Sequence, residues 1–392
     1  MDTMQEHKDG KPLLDFLYEF WWVKLPRKAA RLSGKLSEYL MDGHYLTIVK
    51  PLAALLPLAM FILGFLWGWK DWGVYHVFTE SKTLILVIIA IGALSSNLGM
   101  FFLVGFIIGD FFLDTHIIGN VYNRSFIAKI FLVNVPLIIK YSLLWMLLVF
   151  MPNMTKSLVL QLRFPKAMNL KTIIVIGAVF NVFLTGVFIY YWAQIAAFIL
   201  RPLFTWQGGS LYTQTFVYLQ TETMSLVFVA MAVVAIRMWL QALTVFNPKY
   251  KKAIDAYELD LQAENTEPVQ TIKMNPWLAV ILYTLWAILL ISGLFQTWWE
   301  ALILTAFTFV IYSIQRNLIS IPIDPWRRLI NKVHPILRLL GVFILIYYAG
   351  KYVVLESWRR GNIEFRSMVI MAGLAIFILF LFNPGKPKET SK

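Results

Sequence analysis

Hydrophobic and polar positions alternate along this chain in long blocks. Apolar stretches cover 47–69, 83–113, 126–151, 172–200, 216–246, 276–296, 298–315, 339–355 and 367–383, with polar connections between them. Thr172–Leu200 and Met274–Trp299 contain no Asp, Glu, Lys, Arg or His. About 20 such residues coil into a helix that spans a hydrocarbon core of roughly 30 Å. The pattern predicts an all-α polytopic integral membrane protein.

The stretch 83–113 fits neither one crossing nor two. A straight helix of that length would measure about 46 Å, half as long again as the core, whereas two full crossings need about 40 residues. Near its middle the chain reads Ser95-Ser96-Asn97-Leu98-Gly99. Ser and Asn can bond backbone groups freed by a break, and Gly relaxes the turn. Membranes tolerate such a break only inside protein or beside a water-filled cavity. The expectation is therefore a broken or re-entrant helical pair, accompanied by about eight full transmembrane helices. One long, strongly tilted helix is the alternative.

Composition agrees with this class: 59% of the 392 residues are hydrophobic and 15% charged, against roughly 25% charged in soluble domains. The net charge of +13 need not mean nucleic acid, because Lys and Arg concentrate in cytoplasmic connections that face anionic head groups. Residues 24–35 carry five bases, 152–171 four, 247–274 four and 316–338 five, whereas 114–125 and 201–215 carry one each. Counting crossings between the basic-rich connections places both termini in the cytoplasm, provided 83–113 returns to the side it entered. The 351–366 connection, with Lys351, Arg359, Arg360 and Arg366, breaks the rule. The mixed charges of the first 40 residues do not form a secretory signal, and a bacterial inner membrane is the expected location. Cysteine is absent, which removes disulfides and thiolate chemistry.

Four regions follow: cytoplasmic interfacial helices at 1–46, a membrane bundle at 47–246, a cytoplasmic linker with an amphipathic helix at 247–275, and a second bundle with a short tail at 276–392. The start is read as two short helices split at Pro26. Trp21 and Trp22 suit the headgroup layer, and Arg27, Arg31 and Lys35 recur every fourth residue with Leu32, Leu36 and Leu40 on another face. That arrangement suits a helix lying on anionic lipid. A protein partner docking at 1–42 or 247–274 is the alternative use.

Signatures for phosphate loops, zinc proteases and serine hydrolases are missing, and no cofactor is called for. Asp110, Asp114 and His116 lie close together; the two acids share a helix face, and all three are metal-site candidates, or the acids mark where the helix meets water. Charges at membrane depth are more informative, since each costs about 2.5–3.5 kcal/mol at a helix centre. Lys140 lies near the midplane of 126–151, too deep to snorkel, and must face protein or water. Glu222 matches the depth of Lys129, and Arg237 is read as snorkelling to the inner surface. Asn134, Asn181 and Gln194 add polar groups on neighbouring spans. Together with Glu222 they glue helices together or line a substrate cavity roofed by Ser96 and Asn97, with Lys140 as counter-charge for an anion. The second bundle, with Glu300 its one candidate buried charge, reads as scaffold.

Three functions are compatible with this reading. The first is a permease or channel-like protein for a small anion or lipid-linked anionic substrate. The second is a non-transporting anchor or assembly subunit of an envelope complex. The third is an integral-membrane enzyme acting on lipid head groups.

Overall fold

The computed structural model describes residues 13–70, 76–79, 82–121, 135–160, 169–206, 219, 221–264, 275–291, 297–319, 321–355 and 365–385. Every regular element among them is helical. In chain order these are α1 (Leu13–Tyr18), α2 (Leu25–Leu32), α3 (Gly34–Met41), α4 (Lys50–Lys70), α5 (His76–Thr79), α6 (Lys82–Leu94), α7 (Ser96–Val121), α8 (Val135–Trp145), α9 (Met151–Leu160), α10 (Leu170–Trp206), α11 (Thr223–Phe246), α12 (Pro248–Glu264), α13 (Pro276–Ile291), α14 (Trp298–Gln315), α15 (Asp324–Lys332), α16 (Pro335–Gly350) and α17 (Phe365–Phe382). A π-helical turn, Glu19–Lys24, links α1 to α2, and another, Met146–Phe150, links α8 to α9.

Among the described residues, six stretches are long and apolar enough to cross a membrane: Lys50–Lys70, Leu137–Lys156, Leu170–Ala197, Thr223–Phe246, Trp298–Gln315 and Pro335–Val353. Large apolar side chains on them point outward, among them Ile62, Phe183, Phe228 and Trp239. Such a surface is stable in lipid and not in water. The protein is membrane-embedded. Four apolar helical stretches among the described residues are shorter: Lys82–Leu94, Ser96–Asp110, Pro276–Ile288 and Val369–Phe382. The last two fall in stretches expected to cross fully.

The 83–113 stretch is not one rod. α6 ends at Leu94, Ser95 stands outside both helices, and α7 begins at Ser96. The break is narrower than expected, because Ser96 to Gly99 already belong to α7. Packing fixes the direction of each limb. α6 runs alongside α11 in the same sense, with Lys82 paired to Glu222 at one end and Arg237 reaching the Ala93 carbonyl at the other. α7 runs alongside α4 in the same sense: a side chain at Gly64 would strike the Phe102 carbonyl, and one at Gly68 the Phe106 carbonyl. Gly105 and Gly109 face the Phe61 and Phe65 carbonyls in return. This is a Gly-xxx-Gly contact written twice, once in each helix, and it lets the backbones touch. α4 leaves the end of the bundle at which α11 arrives, so the chain reverses at Ser95. The two limbs straddle the 146–150 turn, Gly92 against Leu147 and Gly99 against Leu148.

The end holding Ser95 also holds α1–α3, Lys156, the end of α11, and α12, and is called the base. α10 leaves the base antiparallel to α11, as the Asn181–Met238 and Gln194–Thr223 contacts show. α16 runs with α10 through Phe188–Phe343 and Tyr191–Tyr347. α14 and α17 end together, where Gln315 bonds the Asn383 carbonyl. The described parts of the basic-rich connections thus gather at the base.

The first helices depart from expectation. The helix continues through Pro26 and stops at Ser33, which is extended (φ −160°, ψ 129°). Pro lacks an N–H and crowds the preceding turn; the wider π turn just ahead of it accommodates both defects. Leu40 packs inside protein, not lipid.

Candidate functional site

Asp42 ends α3, and Gly43 after it takes a left-handed φ of +96°. That turn sends the Asp42 side chain inward, where it is 1% exposed. Its Oδ1 accepts from Arg237 Nη2 at 2.6 Å and Lys156 Nζ at 3.3 Å, and its Oδ2 from the Ser96 amide at 2.8 Å. The surrounding groups tie off the break. Ser95 Oγ donates to the Asp42 carbonyl at 2.8 Å, and Asn97 Nδ2 donates to the Leu40 carbonyl. Asn153 donates to Ser96 Oγ, and Tyr45 OH to the Leu94 carbonyl at 2.6 Å. The carboxylate therefore sits at the positive end of α7, while Arg237 and Tyr45 serve the terminal carbonyls of α6. Burial alone would push the Asp42 carboxyl up, but Arg237, Lys156 and the Ser96 hydrogen bonds outweigh it and hold it below the usual range.

A cleft of about 440 Å³ opens beside Asp42, lined by Ser37, Glu38, His44, Lys156, Tyr257 and Glu258 among others. Burial, and then the nearby Lys156 charge, lower the His44 pKa; Asp42 opposes them and Arg237 adds to them. α12 closes one wall. Its Tyr257 OH donates to the Trp22 carbonyl at 3.1 Å, and Trp22 Nε1 donates to the Ala53 carbonyl at 2.8 Å.

A second charged site lies farther along α7. Lys140 Nζ meets Asp110 Oδ2 at 2.9 Å, with side chains 0% and 1% exposed. Tyr141 OH donates to the same oxygen at 2.6 Å, and the ammonium lies 5.2 Å from the centre of the Phe106 ring. Lys140 does face the protein interior. The counter-charge on it here is Asp110, which is buried and does not mark a water boundary. Two residues singled out for separate chemistries form one pair.

The remaining candidates are dispersed. Glu222 pairs with Lys82; Lys129, its expected neighbour, and Asn134 lie outside the described residues, as do the side chains of Asp114 and His116. Asn181 bonds Met238 in the α10–α11 contact, whereas Ser96 and Asn97 bond Asp42, Asn153 and the Leu40 carbonyl. Among the described residues no group of three or more His, Asp or Glu side chains is placed to hold a metal. Arg31 and Lys35 are exposed and Arg27 half-buried. Trp21 packs edge-on against Phe101 at 4.9 Å, and Trp22 is fully buried rather than in the headgroup layer. Glu300 forms a capping box with Thr297 at the start of α14 and is not a membrane-depth charge. Among the described residues the second bundle does bury a cation: Arg327 bonds Asn317, Asp324 and the Ile314 and Pro384 carbonyls.

Asp42, Arg237, Lys156, Asn153 and His44 were not legible as a site. Depth along the helix was the available clue for Arg237. It lies nine residues before the end of α11, about 14 Å, farther than its side chain can snorkel. No family model, curated protein or solved structure matches this chain.

Proposed function

We propose that the chain is a membrane permease that moves a small anion, or a lipid-linked anionic group, through its first bundle. The supporting observation is the pair of buried charge clusters at two levels of α7. Ser96 touches one and Asp110 belongs to the other, about 21 Å apart along the helix. Apolar packing would hold these helices at lower cost than buried charges. Groups kept at membrane depth despite that cost typically belong to substrate paths. In this reading an anion exchanges with Asp110 for Lys140. The topology is eight crossings plus the 82–121 hairpin, with the base and both termini in the cytoplasm of a bacterial inner membrane.

Proteoliposomes loaded in turn with chloride, phosphate and acetate test it. The expected result is protein-dependent efflux of at least one of them, cut at least tenfold in the Asp110→Asn/Lys140→Met double variant, whose melting point stays near wild type. Efflux of none, or wild-type efflux from the double variant, would refute the proposal.

The assembly-subunit reading rests on a different observation: the outer face of α12 is exposed, including Leu259 at 64%. It predicts a stoichiometric partner in gentle purification that is lost on K252E/L259D.

A further inference from the structure

We infer that Arg237, Lys156 and the Ser96 amide form a binding site for a carboxylate-sized monoanion, occupied in this structure by the chain's own Asp42 side chain. The donors come from α11, α9 and the first residue of α7, and all three converge on one carboxylate. Arg and a helix N-terminus both favour anions, and the water-poor setting strengthens each contact. Two cations surround one carboxylate, so the cradle retains an excess positive charge. Arg237 is 2% exposed, and its Nε has no hydrogen-bond partner among the described residues, which leaves a buried donor to spare.

Other buried cations lack these features. Lys140 pairs with Asp110 away from the described cleft, and Arg327 is committed to backbone carbonyls, Asn317 and Asp324. The cradle also has an entrance. Lys156 is one-third exposed and lines the 440 Å³ cleft together with Asp42 itself. Glu258 on the cleft wall repels multiply charged ions and favours a monoanion, while Glu38 beside it is paired with Lys35 at 2.8 Å. Asp42 is carried by a short turn at Gly43, so it can act as an internal competitor: an anion entering the cleft takes the cradle as Asp42 withdraws. The inference concerns equilibrium binding and stands independently of transport, so a flux result and a binding result can fail separately.

Chemical rescue tests it. Asp42→Ala empties the cradle, and formate replaces the missing carboxylate. With gluconate as the balancing anion, formate should raise the melting point of D42A saturably by several degrees. Wild type and D42A/R237M should show no comparable rise. Rescue in phosphatidylglycerol nanodiscs without formate, absent in phosphatidylcholine, would assign the same cradle to a lipid headgroup. A D42A protein that responds to formate no more than wild type overturns the inference. So does one that aggregates in formate as in gluconate while Asp42→Asn folds: the cradle would then be a structural clamp.

Discussion

Lys140 and Asp110 show how much one buried charge depends on another. Removing one partner strands the other in a low-dielectric interior, at a cost of about 3–5 kcal/mol, whereas removing both is often near neutral. Lys140→Leu alone should therefore lower stability by that order, and Asp110→Asn/Lys140→Met should restore most of it, both read by thermal unfolding in detergent. Equal damage from the single and double variants would show that the pair is not the reason these residues are buried. His44 gives a pH signature. Its folded pKa is depressed by burial and by the Lys156 charge, so the unfolded chain takes up a proton first as pH falls. Its stabilising contribution is complete above the ordinary histidine value of about 6.5 and declines below it. A melting-point drop between about pH 7 and 5 that flattens in His44→Gln is expected. At this scale the chain disclosed that Lys140 is buried, from its depth in an apolar stretch. It could not disclose Asp110 as the partner, because 30 positions along the chain separate them and they lie on different helices.

Among elements, the α4–α7 contact is the most exacting. Gly64-xxx-Gly68 and Gly105-xxx-Gly109 stand plainly in the sequence, yet no motif states which helix each will meet or in which direction. Gly105→Leu should separate the two helices and destabilise the protein by about 1–3 kcal/mol, the usual cost of overpacking. Gly34→Ala, where an added Cβ meets nothing within 4 Å, serves as the control and should be close to neutral. The break at Ser95 was legible because Ser-Ser-Asn-Leu-Gly interrupts an apolar stretch of awkward length. The break at Ser33 was signalled only by the Ser33-Gly34 pair in "RLSGK", a common turn dipeptide, and Pro26 looked the stronger stop. α3 turns back onto α2 so that Leu40 and Asp42 reach the core.

For the molecule as a whole, the absence of cysteine makes sidedness measurable. Single cysteines at Lys252 and Lys332, at the base, should react with an impermeant thiol reagent from one side of the membrane. Those at Lys70 and Thr297, at the far end, should react from the other. Labelling of all four from the same side would dismantle the topology. Sequence alone determined that the chain is helical and membrane-embedded, because hydrophobic transfer energy sums locally, residue by residue, along each stretch. Tertiary structure decided which charges meet: Asp42 with Arg237, 195 positions later, and Asp110 with Lys140. An ion pair is worth keeping at membrane depth only when separate helices bring both partners within about 3 Å, and the order of residues along one chain does not encode that coincidence.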